Sequence, residues 1–204
     1  MPPILPSDIT LGILAGGRAS RLGGVDKAWL QRDGIAQVER WRRRFAAETT
    51  SMLVSANLRA DRYERIGLRA VADRHERDLG PLAGLDALAA ACETPWLLTL
   101  PVDLVGVNDC LLPSLDAAAG AHGAYAVDDD GPQPLVALWP VAPLREATAH
   151  AIESGELAIH SLQRRLRMGA VRLAGVRFGN LNTPQDLAAA GVVPGEPDRR
   201  DAPA

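Results

Sequence analysis

Disulfide chemistry is excluded first. Cys92 and Cys110 are the only cysteines in 204 residues, too few for a disulfide scaffold and without metal-ligand spacing. Both are expected as small core residues of a protein kept in a reducing compartment. No apolar run approaches the ~20 residues that span a bilayer. The N-terminus, Met1 to Asp8, carries neither a basic nor an apolar leader region, so a cytoplasmic location and no membrane contact are expected. An excess of positive charge is missing too, with 22 Lys and Arg against 25 Asp and Glu and a net charge of −3. A general nucleic-acid binder usually carries the opposite balance. The basic cluster Arg40, Arg42, Arg43 and Arg44 shares a stretch with Ile35, Val38, Trp41 and Phe45 at helical spacing, and reads as a solvated helix face. His75, His122, His150 and His160 show no pairing at ligand spacing, which argues against zinc. No nucleophile elbow is present.

What is there is one domain's worth of alternating patterns. Strands are predicted at 9–14, 52–56, 69–72, 96–100, 123–127 and 134–139, and helices near 35–48, 82–92, 109–119, 143–154, 160–167 and 184–190. Leu82, Leu85, Leu88, Ala89 and Cys92 form one helical stripe. Thr183, Pro184 and Asp186 give the last helix an N-cap, N1 and N3 start signal. Alternation of this kind predicts an α/β fold, a mainly parallel sheet with helices on both faces. Residues 1–190 read as a single domain, with no repeat or dividing linker. The tail from Gly191, rich in proline and charge, is expected to be disordered.

The densest signal lies in residues 9–30. An apolar run, Ile9 to Leu14, breaks into a loop that interleaves Gly16, Gly17, Gly23 and Gly24 with Arg18, Arg21 and Lys27. Glycines let a backbone present its N–H groups to a ligand at close range. Successive N–H groups make an anion-binding concavity, and cationic side chains add charge-assisted bonds to phosphate oxygens. The loop is not a Walker A site, because Val25 and Asp26 separate Gly24 from Lys27. It also lacks the Gly-x-Gly-x-x-Gly spacing of dinucleotide loops.

Ligands of open α/β sheets bind beyond the carboxyl ends of the strands. That rule selects Asn57 after Val54-Ser55-Ala56, Asp73 after the run at 69–72, and Asp103 after Pro101-Val102. Each alone is compatible with a turn or helix cap; with the glycine loop they converge on one rim. Asp128-Asp129-Asp130 before Gly131-Pro132 reads as a solvated hairpin turn rather than a metal cluster.

The segment Leu14, Ala15, Gly16, Gly17, Arg21, Leu22, Gly23, Gly24, Asp26 and Lys27 resembles the signature of the molybdenum cofactor guanylyltransferases. Gly80-Pro81-Leu82-Ala83-Gly84 and Asn180-Leu181-Asn182-Thr183-Pro184 are similar to two further segments of that family. The likeness runs from about Ile9 to Leu187. It implies a three-layer α/β/α Rossmann-like nucleotidyltransferase fold, Mg²⁺ as cofactor, and GTP and molybdopterin cofactor as substrates. Transient contact with cofactor-delivery or molybdoenzyme-maturation proteins is a further implication.

By the same resemblance, Leu14, Ala15, Gly16, Gly17, Lys27, Asn57, Asp73, Gly84 and Asp103 would bind nucleotide. Asp103 would hold the metal, Arg21, Lys27 and Asp103 would be catalytic, and Asn180 and Asn182 would border the pterin. Gly84, costly inside a helix by roughly 1 kcal/mol against Ala, is expected to leave room for a flat ligand. Two segments depart from the family's pattern. Asp103-Leu104-Val105 stands where a small polar residue and Pro usually follow the Asp, and Gly155-Glu156-Leu157 stands where relatives often carry arginines. Use of CTP, coupling of a sugar phosphate, or a non-catalytic nucleotide-binding role are the alternatives.

Overall fold

The computed structural model describes residues 3–16 and 26–194. The apolar run at Ile9–Leu14 is strand β1, buried at every position, as a central strand covered on both faces must be. It pairs in parallel with β4 (Ser51–Ser55) on one side and β6 (Trp96–Pro101) on the other. The sheet is completed by β5 (Arg69–Val71), β8 (Ala124–Asp128), β9 (Gly131–Pro140) and β10 (Gly169–Arg172), in the order β10-β8-β9-β6-β1-β4-β5. Every pairing is parallel except the two made by β9.

Side-chain alternation divides the core by face. Ile9, Leu11 and Ile13 join α1 (Gln37–Phe45) and α4 (Leu111–Ala119) in one cluster, which also takes Tyr63 of α2 (Ala60–Glu64). Leu14 joins α3 (Pro81–Ala91), α5 (Val141–Ser154) and α6 (Ile159–Leu166) in the other. This is the expected three-layer arrangement. The short α7 (Pro184–Ala189) closes the described chain. On this second face α3 lies hard against β1: a Cβ on Gly12 would stand 2.9 Å from Leu97 and 3.1 Å from Leu88.

Some elements differ from the sequence reading. The predicted helix 35–48 begins at Gln37, because Gln31–Arg32 (β2) and Ile35–Ala36 (β3) form a two-residue hairpin. Its turn residues Asp33 and Gly34 both have positive φ, 54° and 73°, the Asp-Gly signature of a tight hairpin. Strand β10 and helix α2 were not predicted. The tail is ordered further than expected: Val193 and Gln31 exchange backbone hydrogen bonds at 2.8 Å, and Val192 packs with Leu30 and Leu181. Cys92 is buried as expected, but Cys110 is exposed at the start of α4.

Candidate active site

Lys27 opens a 3-10 turn, Lys27–Trp29, whose N-cap is Asp26. The Asp26 carboxylate accepts from Ala28 N–H at 3.0 Å. Burial pushes its pKa up, against the lowering effects of that bond and of Arg62 and Arg59. The turn is bolted inward by Ala28, Trp29 and Leu30, all buried. Trp29 packs against Tyr63, with ring centroids 5.2 Å apart and planes tilted by 44°, and the Arg62 guanidinium lies over its ring at 3.9 Å. The Lys27 ammonium therefore projects from a fixed base.

It meets two partners brought from far along the chain. Nζ donates to Asp103 Oδ2 at 2.6 Å and to Asn182 Oδ1 at 2.6 Å. Asp103 follows β6, and a two-stranded ribbon sets its neighbourhood: Leu104–Val105 (β7) pairs antiparallel with Gly179–Asn180 (β11). Leu181 N–H donates to the Asp103 carbonyl at 3.0 Å. The approach is close enough that a Cβ on Gly106, at φ +85°, would stand 2.7 Å from the Arg177 carbonyl. Asn182 is in turn fixed by α7. Thr183 and Asp186 form a reciprocal capping box, and Asn182 N–H donates to Asp186 Oδ2 at 3.1 Å. The hydrogen bonds from Thr183 and Asn182, with the nearby Lys27 charge, hold the Asp186 carboxyl below its ordinary pKa.

A second polar group lies past β4 and β5. Asn57 Nδ2 donates to Asp73 Oδ2 at 2.7 Å, and Asp73 N–H donates back to Asn57 Oδ1 at 2.8 Å. The exchange holds the loops after the two strands together and leaves Asp73 half-buried. Beside it, Ala15 N–H donates to the Ser55 carbonyl at 3.1 Å, which extends the β1–β4 pairing to the first loop residue. Gly16 lies over Ser55, and Gly84 lies against the same side chain.

Gly84 serves packing rather than an open space for a flat ligand. A Cβ there would stand 2.5 Å from Ser55 Oγ and 3.0 Å from Leu14, so the missing side chain is what lets α3 close on the sheet. Its predecessor Gly80 takes φ +57° at the N-cap of α3, a conformation that favours glycine.

Leu14, Ala15, Gly16, Lys27, Asn57, Asp73 and Asp103 thus stand at the carboxyl edge of the sheet. Gly17, Arg21 and the rest of the loop from 17 to 25 lie outside the described residues. Asn180 is exposed on β11. Asn182, expected to border the pterin, is joined directly to Lys27. The sequence reading passed over Ser55, which is buried and packs against Gly16 and Gly84. The small-residue run Val54-Ser55-Ala56 was its only signal. Among the described residues no group of three acidic, His or Cys side chains could hold a metal. The donor set at Asp103 suits a hard cation that takes most of its oxygens from phosphate and water.

Asp128 is fully buried, unlike its neighbours in the hairpin. Burial would raise its pKa, but the Phe178 N–H, Gln133 and the Asp130 and Gly131 N–H groups more than offset this and leave it lowered. Asp129 and Asp130 are exposed as expected, paired with Arg172 and Arg177.

Residues 11–169 match the model of the MobA-like NTP transferase domain. A molybdenum cofactor guanylyltransferase of Pseudomonas paraeruginosa is 35% identical over 193 residues, covering 92% of this chain and 97% of the relative. One from Cupriavidus pinatubonensis is 34% identical over 194 residues, covering 90% and 96%. Among solved structures, molybdopterin-guanine dinucleotide biosynthesis protein A from Archaeoglobus fulgidus superposes with a TM-score of 0.66 at 20% identity, over 89% of this chain and 96% of that one. The 2-C-methyl-D-erythritol 4-phosphate cytidylyltransferase of Thermus thermophilus gives 0.65 at 20% identity, over 88% and 96%. The two structures share the fold.

Proposed function

The chain belongs to the MobA-like NTP transferase family, and from that premise we propose that it transfers GMP from GTP to molybdopterin cofactor with release of pyrophosphate. The observation that carries this reading is the junction of Lys27, Asp103 and Asn182 at the mouth of the sheet, on the same edge as the Asn57–Asp73 pair. The names of the curated relatives support the choice of nucleotide and acceptor.

The reaction forms a bond between a phosphate oxygen of the acceptor and the α-phosphorus of GTP, and breaks the bond from that phosphorus to the bridging oxygen of pyrophosphate. The acceptor oxygen is already anionic at neutral pH, so no general base is required. Alignment and charge neutralisation remain as the protein's tasks. Lys27 is suited to the second: with nucleotide bound, its ammonium exchanges the Asp103 carboxylate for phosphate oxygens. Asn182 holds it from the other side during that exchange. Asp73 would accept from guanine N1–H and the exocyclic amine, with Asn57 fixing the carboxylate's orientation. Asp103 would hold Mg²⁺, which when bound would neutralise charge on the triphosphate.

Incubation with GTP, magnesium and molybdopterin cofactor should release pyrophosphate, whereas ATP or CTP in place of GTP should not. Equal turnover with CTP would point instead to a cytidylyltransferase, and nucleotide binding without pyrophosphate release to a non-catalytic protein.

A further inference from the structure

Asp86 is 3% exposed in the middle of α3, a helix otherwise built of Pro, Leu, Ala and Gly. An unpaired charge at such a position is costly, and three side chains lie against this one. Thr148 Oγ1 of α5 donates to Oδ1 at 2.9 Å. Arg74 Nη1 lies 3.2 Å and His75 Nε2 3.4 Å from Oδ2. The last two belong to residues 72–80, a stretch without helix or strand that begins beside Asp73. The same stretch is tied down by Arg77, which donates to the Ile152 carbonyl, and by Leu79, which is 3% exposed. Asp73 is thus gripped from both directions. Asn57 holds its side chain and N–H, and the Asp86 carboxylate holds the two residues that follow it.

We propose that Asp86 is a positioning residue for nucleobase selection. Through Arg74 and His75 it fixes the backbone directly after Asp73, and so sets where the Asp73 carboxylate meets the base. The inference rests on the reading of Asp73 as the guanine acceptor. A displaced carboxylate loses its paired bonds to guanine and gains none to adenine, so the signature is a loss of preference rather than a uniform loss of affinity.

The test measures dissociation constants for GTP and ATP, with magnesium, on the full chain. Wild-type protein should prefer GTP by at least about fivefold, the equivalent of one well-made buried polar contact. Arg74→Gln with His75→Gln, both changes on an exposed loop, should reduce that preference to below about twofold by weakening GTP alone. Hydrogen exchange at the amides of residues 73–78 should quicken in the same variant. Asp86→Asn should show the same loss, together with a lower Tm. Thr148→Val, which touches Asp86 from the side of α5, should lower Tm and leave the preference in place. If wild-type protein does not prefer GTP, the Asp73 reading falls and the inference with it. If wild-type protein prefers GTP and the Arg74/His75 variant keeps that preference, or loses both nucleotides equally, the positioning role is wrong while the Asp73 reading stands.

Discussion

Lys27 is the only lysine in the chain, and its side chain is 21% exposed beside the 17% of Asp103. An amine-directed reagent therefore has one side-chain target. Reductive methylation should modify Lys27 and the α-amine alone, and GTP with magnesium should slow modification of Lys27, as peptide mass analysis would record. Modification unaffected by nucleotide would place the triphosphate elsewhere. Asp103→Asn should cut pyrophosphate release by about a hundredfold or more, the scale of losing one preorganised electrostatic group, with a Tm near that of wild type. Full activity in the folded variant would remove Asp103 from the reaction.

Asp128 makes a different prediction at the same scale. Its folded pKa is lowered, so its stabilising contribution is complete above the ordinary carboxylate pKa and fades as pH falls through the folded value. Asp128→Asn should cost about 1–3 kcal/mol at pH 7. Urea denaturation should then show the gap between wild type and variant narrowing as pH falls below the ordinary carboxylate range; a constant gap would mean that the charge is not what matters.

Among the elements, α3 is placed by what it lacks. Alanine at position 84 would favour the helix by about 1 kcal/mol, yet its Cβ would meet Ser55 Oγ at 2.5 Å. Overpacking of this kind typically costs about 1–3 kcal/mol, so Gly84→Ala should be destabilising in thermal unfolding. Adding Ser55→Ala removes the nearest atom, and the double variant should recover part of the loss. Strict additivity of the two changes would mean that the contact is not the cause. At the other end of the site, Thr183→Ala should remove the capping box of α7 at a cost of about 0.5–2 kcal/mol. It should also loosen Asn182 against Lys27.

For the molecule as a whole, the alternation of apolar runs and helical stripes made six of the seven strands of the main sheet legible. The last, β10, is four residues, Gly169–Arg172, with only Ala170 and Val171 to suggest a strand. Helix α2, Ala60–Glu64, is too short for a 3.6-residue period to repeat. The reversed direction of β9 is not a property of its own residues. It follows from the tight turn at Asp128–Gly131, which the sequence does mark. The site was legible where each polar residue directly follows an apolar run, as with Asn57, Asp73 and Asp103. The bond from Lys27 to Asn182 was not, because no local pattern joins residues 155 positions apart. Selective ligand binding should act on this whole framework: magnesium and GTP should raise Tm more than magnesium with ATP or CTP, and equal shifts would count against guanine selection.

The separation of 155 residues between Lys27 and Asn182 also orders events during synthesis. At bacterial-to-eukaryotic translation rates, about 8–30 s pass between the two residues leaving the peptidyl-transferase centre. By then β1, β4, β6, β8 and β9 are all available to pair, and of the two bonded partners of Lys27 Asp103 has long since been made. A nascent or stalled chain can therefore bury much of its sheet and still present an incomplete clamp. Completion of the lysine's second bond waits on the segment that leads into α7, so the two-partner clamp forms late in synthesis, after most of the sheet that supports it.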